Sequence, residues 1–375
     1  MLIAAPRVLT VDGLVSDAAV AVEDGRVVEV LPGGRGDVVL GDGVLAPGFV
    51  DLQVNGYFGV DFAQADVGEW VDVARRLPST GVTSFLPTLI TAPVEALARD
   101  LVRAEEVVDG PGGGARVLGV HVEGPFLAEA QAGAHDAAVF CEPAADLVDA
   151  LLAPGTMALL TLAPERAGAL EAIARAVGAG VVVSAGHSDA PADVVAAAVG
   201  AGLRMVTHLF NAQSGMDHRE PGVAAQGLAD PRLACGLILD GHHVAGPVAR
   251  VAFAAAAGRI ALVTDAIAAA GMPPGMYELG GAPVFVREGQ PPRRSDGTLA
   301  GAVLRLDDAV ARAVSLGVDP AVALEAASRV PADVLGRTDL GRLAAGCRAD
   351  LVWLGPDLRT RAAWVGGELV YGAPE

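Results

Sequence analysis

The chain has 375 residues, of which 52% are hydrophobic and 19% charged, with a formal net charge of −19. That length suits a large α/β barrel with an appendage better than one small domain, and an acidic chain without a basic cluster excludes nucleic acid as an expected partner. All 26 basic residues are arginine, which excludes Schiff-base lysines, P-loop lysines and a lysine carbamate bridging two metals. Anions are left to Arg, His or backbone N–H groups.

No apolar stretch approaches the roughly 18 residues of a membrane span, and the start lacks a basic n-region, so neither a span nor a signal peptide is expected. Cys141, Cys235 and Cys347 are scattered and odd in number, which suits reduced thiols in the cytoplasm.

From the N-terminus, VSDAAVAVEDGRVVEVLPGG alternates around D-G and G-G turns, and ADLVWLGPDLRTRAAWVGGELV near the other end shares that texture. Both read as short antiparallel β segments. Segments 1–47 and 341–375 are therefore expected to pair into one small β domain flanking residues 48–340.

Within 48–340, short β-rich runs recur at 49–54, 82–87, 116–122, 157–162, 181–185, 204–209, 234–239 and 260–264. Amphipathic stretches such as VEALARDLVRAEEVV and GALEAIARAVGA separate most of them. Eight strand–helix units predict a (β/α)8 barrel, in which function sits at the C-terminal strand ends.

The polar residues gather at those ends. PGFVDLQVNG closes the first run with Gln53 and Asn55, which an i, i+2 spacing turns to one face. Glu123, His187, His208, Asp240 with His243, and Asp265 follow later runs. Glu123, His187 and His208 offer one carboxylate and two imidazoles, a set that holds a divalent ion while leaving a position open. The alternative is two satisfied core histidines and a loop-capping Glu.

Asp265 is either a proton carrier or the N-cap of the next segment. His135, in GAHDA, either polarises a carbonyl or is an ordinary loop histidine. Arg219 with one of His242 and His243 forms an anion clamp or a solvated loop. His121 shares a strand face with Glu123 and is expected to orient that carboxylate.

Taken in order, APGFVDLQVNG, GVHVEGPFL, GAH, SAGHSDA, THLFNA, REPG, DGHHV and VTDAIAAAG resemble the N-acetylglucosamine-6-phosphate deacetylases of the amidohydrolase superfamily. The resemblance spans nearly the whole chain and extends to a small β-sandwich built from both termini. It implies Glu123, His187 and His208 as ligands of one metal ion per subunit, zinc or alternatively iron. It implies Asp265 as catalytic acid/base and His135 as the contact to the acetamide carbonyl. Asn211, the backbone at Ala212, His243 and Arg219 match sugar-phosphate contacts, with Arg219 reaching in from the neighbouring subunit of a homodimer.

Many amidohydrolases hold a second metal with His-x-His at the first strand end. Gln53-x-Asn55 offers only neutral amides, so one metal is expected, with Gln53 and Asn55 shaping the substrate pocket. Gln213 stands where methionine is common and Ala302 where serine is usual, which bears on sugar preference. The rival readings are the same reaction on N-acetylgalactosamine 6-phosphate, a cyclic-amide or aminopurine hydrolase, and a catalytically inactive barrel.

Overall fold

The computed structural model describes residues 1–108, 110 and 113–374; Glu375, the end of the second terminal segment, lies outside the described residues. Eight parallel strands form the barrel: β1 (Phe49–Val54), β2 (Val82–Ile90), β3 (Val120–Glu123), β4 (Met157–Leu162), β5 (Val182–Ala185), β6 (Met205–Val206), β7 (Ala234–Leu237) and β8 (Ile260–Leu262). They neighbour one another in that order, and all eight fall on the expected runs. A two-residue strand, Arg116–Val117, precedes β3 and pairs with β2.

Every residue of β1 and of β2 is buried, which is why these runs are continuously apolar rather than alternating: helices cover one face and the barrel interior the other. The helices show why they form. Val67–Arg76 is opened by a capping box between Asp66 and Glu69. Val94–Arg103 buries Val94, Leu97 and Leu101 on one stripe. No helix among the described residues is long and apolar enough to cross a membrane.

Both termini form a second sheet. Strands Leu2–Thr10, Gly13–Glu23, Arg26–Pro32, Val38–Val39 and Val44–Pro47 join Leu351–Leu354, Thr360–Val365 and Glu368–Gly372. The junction is the antiparallel pairing of Val44–Pro47 with Leu351–Leu354. This sheet wraps a core of its own, including Ile3, Val20, Leu45, Leu351 and Trp364, so the fold is a TIM barrel with a small sandwich built from the chain ends. Asp307, fully buried, ties the two together by accepting from Arg305 and from the backbone N–H and hydroxyl of Thr360.

The barrel closes just past β8. The Asp265 N–H donates to the Gln53 carbonyl (2.9 Å) and the Asn55 N–H to the Ala266 carbonyl (2.8 Å). Below them, Asp51 accepts the Thr264 hydroxyl at 2.6 Å and its N–H at 3.2 Å. Burial outweighs these hydrogen bonds and pushes Asp51 from 3.8 up to about 7.

The unfolded group titrates near 3.8, so Asp51's contribution to stability is fully present below that pH. It is lost as pH rises to about 7, a difference on the order of 4 kcal/mol. Asp51→Asn should therefore lose less stability than the wild type between about pH 4 and pH 8 in urea unfolding. Equal losses would show that Asp51 does not titrate in this window.

Candidate active site

His187, His208 and Asp265 leave their strands in the left-handed region, at φ 48°, 27° and 49°. Non-glycine residues adopt that conformation uncommonly, although Asp and His tolerate it better than most. Here the bracing is visible. Glu165 accepts the Ser188 hydroxyl (2.7 Å) and the Asp189 N–H (2.6 Å), while Ser188 exchanges backbone hydrogen bonds with Ala212 and Ser214. The turns after β5 and β6 are thus tied to each other, and their imidazoles face the barrel axis.

The donor atoms converge. His208 Nε2 lies 3.0 Å from Glu123 Oε1 and 3.1 Å from His187 Nε2, and His187 Nε2 lies 3.4 Å from Glu123 Oε1. A tetrahedral site with bonds of about 2.0–2.1 Å has edges of about 3.3 Å, so these three separations suit one ion. His187 Nδ1 donates to the Gln131 carbonyl at 2.8 Å, which leaves its Nε2 lone pair directed inward. Two inward nitrogens and a carboxylate in contact are a donor set for a cation.

A different trio, Glu123, His135 and His187, also brings its ligand atoms within 4.8 Å. His135 Nε2, however, approaches the other carboxylate oxygen, Oε2, at 3.7 Å. The trio containing His208 is the tighter one.

Gln53 and Asn55 have a role that lone-pair donors could not fill. Gln53 Nε2 is 3.1 and 3.2 Å from the two Glu123 oxygens and 3.1 Å from Asp265 Oδ1. Asn55 Nδ2 donates to the same Asp265 oxygen at 2.6 Å. Two amide donors thus hold two carboxylates side by side, where imidazole lone pairs would repel them.

Electrostatics separates the two acids. Burial, reinforced by the Glu123 charge, pushes Asp265 up to about 6. Burial acts the same way on Glu123, but when His187 and His208 are protonated their hydrogen bonds and charge hold it well below its usual range. Two acids with opposed shifts are an arrangement suited to one fixed anion and one proton carrier.

The surrounding cavity, about 280 Å³, is lined by Asn55, Glu123, His135, His187, His208, Asn211, Ala212, His243 and Asp265. A larger groove of about 750 Å³ contains none of these residues. His243 Nδ1 contacts Asp240 Oδ2 at 2.7 Å; burial opposes the Asp240 charge, but this bond brings it down to about 2. Asn211 donates to the Leu209 carbonyl at 3.2 Å and keeps one edge toward the cavity.

Several expectations change. His121 does not orient Glu123. Its nitrogens meet Thr88 (3.1 Å) and Thr161 (2.8 Å) inside the barrel, and burial lowers it to about 4. Gln213 is turned away from the cavity: it donates to the Thr207 carbonyl and accepts the Phe210 N–H, so it braces the loop. Ala302 is fully buried in the ladder beside Asp265. Arg219, expected to serve a neighbouring subunit, is exposed and off the cavity wall of its own chain, and His242 is exposed and off it as well.

A hairpin after β8, Gly275–Leu279 with Ala282–Val286, lies outside the expected strand–helix pattern and brings Leu279 to the cavity, while Thr298, Leu299 and Gly301 follow it. Its signal is the Gly280-Gly281 pair, both at positive φ, which marks a two-residue type I′ turn.

Known proteins resemble this chain over most of its length. The Amidohydrolase family matches residues 44–370. An N-acetylgalactosamine-6-phosphate deacetylase of Escherichia coli O157:H7 is 38% identical over 370 residues, covering 97% of this chain and 98% of its own. An N-acetylglucosamine-6-phosphate deacetylase of Bos taurus is 40% identical over 347 residues, 88% and 84% of the two chains. The structure of an N-acetyl-D-glucosamine-6-phosphate deacetylase mutant from Mycobacterium smegmatis, in complex with N-acetyl-D-glucosamine-6-phosphate, superposes with a TM-score of 0.93 at 36% identity over 99% of each chain. With the family matched from Val44 to Val370 and these relatives aligned over most of its length, the chain belongs to the amidohydrolase family.

Proposed function

We propose that this protein hydrolyses the acetamide of N-acetyl-D-glucosamine 6-phosphate, giving D-glucosamine 6-phosphate and acetate. The observation that carries the reading is the network in which buried Gln53 joins a Glu-His-His donor set to Asp265, all four of which line one cavity. Glu123, His187 and His208 would hold one divalent ion, zinc or alternatively iron; such an ion supplies a Lewis acid that brings water's pKa from 15.7 toward about 7.

The chain's own groups do the rest. Asp265, poised near neutrality, takes the proton of the attacking water and returns one to the amine, a poor leaving group unless protonated. His135 stabilises the oxyanion that develops on the acetamide oxygen. Asn211, the Ala212 backbone and His243 position the sugar phosphate, so remote binding energy aids the reacting centre. Arg219 completes the clamp from a second copy in a homodimer, a role supported by its exposure away from its own cavity. Three free cysteines fit a cytoplasmic setting.

The galacto epimer is the second reading, because relatives with both names align over most of this chain. Acetate release from both 6-phosphates and from unphosphorylated N-acetylglucosamine decides between them. A higher kcat/KM for the gluco phosphate is expected; preference for the epimer reassigns the substrate, and no release from any of the three overturns the reaction. Arg219→Ala should raise KM for the phosphorylated sugar by about 10–100-fold with little change in kcat, and an unchanged KM would remove Arg219 from the clamp.

A further inference from the structure

His135 stands at the edge of the donor set with one nitrogen inward, and its chemistry depends on whether that nitrogen carries the proton. The residue that decides this is Thr91, one position beyond β2 and buried. Its hydroxyl lies 2.8 Å from His135 Nδ1 and 3.2 Å from the Glu123 carbonyl, and its backbone N–H points at the same Nδ1 at 3.4 Å.

A hydroxyl has one proton to give. If it went to the Glu123 carbonyl, Nδ1 would have to donate to the hydroxyl, and the Nδ1 hydrogen would face the Thr91 N–H. The inward Nε2 lone pair would then face the Glu123 carboxylate at 3.7 Å. If the hydroxyl donates to Nδ1, across the shorter of its two contacts, it gives up the 3.2 Å bond to the Glu123 carbonyl, but both conflicts vanish: Nδ1 accepts from Thr91, and Nε2–H points toward the carboxylate and the cavity. The place is built for this contact, since a Cβ on Gly124 would lie 2.2 Å from the Thr91 hydroxyl oxygen.

We propose that Thr91 is a positioning residue that fixes His135 as the Nε2–H tautomer, making it a donor to the substrate carbonyl and keeping it out of the metal-ligand set. The proposal deepens the deacetylase reading and rests on it only for the substrate; the tautomer itself is a property of the free protein. It also explains why His135 can join a geometric trio with Glu123 and His187 without ligating: a protonated nitrogen has no lone pair to offer.

Neutron diffraction from substrate-free crystals of the zinc-loaded protein tests the assignment. A deuteron on His135 Nε2 and none on Nδ1 is expected; a deuteron on Nδ1, or Nε2 bonded to zinc, overturns it, whatever the substrate proves to be. Kinetics give the second arm. Thr91→Val should lower kcat for acetate release by about 10–100-fold at nearly constant KM, with Thr91→Ser restoring most of the loss. Wild-type kcat in Thr91→Val overturns the positioning role. Absence of wild-type activity on the sugar phosphates would instead defeat the substrate reading and leave the neutron result standing.

Discussion

Asp265→Asn should lower the turnover of acetate release by about 10²–10⁴ while the protein keeps about one metal ion per chain. The reason is in the asymmetry of the carboxyl group. Oδ1 is occupied, accepting from Gln53 at 3.1 Å and from Asn55 at 2.6 Å, and an asparagine oxygen can occupy that place unchanged. What the substitution removes is the second oxygen, the proposed base. Fold, pocket shape and the neighbouring donor set are all preserved, so lost turnover reads as lost proton transfer. A variant within about threefold of wild type would remove Asp265 from that role.

His208→Asn should be at least as damaging, with turnover falling by on the order of 10³ or more, and through a different readout. Its Nε2 touches both other members of the trio, at 3.0 and 3.1 Å, so its loss leaves two donors that cannot enclose an ion. Metal measured per chain after dialysis should fall far below one, whereas Asp265→Asn should keep it. Full metal occupancy in purified His208→Asn would favour Glu123, His135 and His187 as the ligand set. His135→Asn provides the contrast, since it should lose activity and keep the ion.

Much of this was legible in the sequence, because barrel strands are apolar runs whose ends are marked by sudden polarity. Glu123, His187, His208 and Asp265 each follow such a run, and the structure brings them into one cavity. What sequence could not show was direction. His121 lies two residues before Glu123 on the same strand face, yet its ring is engaged by threonines of β2 and β4 within the barrel. Gln213 sits inside a motif but turns away from the cavity.

Thr91 is illegible in the sequence for the opposite reason. A threonine after a β-rich run carries no chemical signature, and its importance comes from partners at 123 and 135. The amides at 53 and 55 read as poor ligands from residue type alone, whereas their place as donors between two carboxylates shows only in the distances.

The closing strand pair of the small domain, Val44–Pro47 against Leu351–Leu354, has a consequence for biosynthesis. The partners are separated by roughly 300 residues, so at about 5–20 residues per second the first waits some 15–60 seconds for the second to be synthesised. During that interval Val44–Pro47 has an edge whose backbone groups lack their final neighbour, a ready template for pairing with another nascent chain. Chains cut short before Leu351 would keep that edge permanently. Aggregation of C-terminally truncated products, with the barrel strands themselves intact, is the failure that this topology builds in.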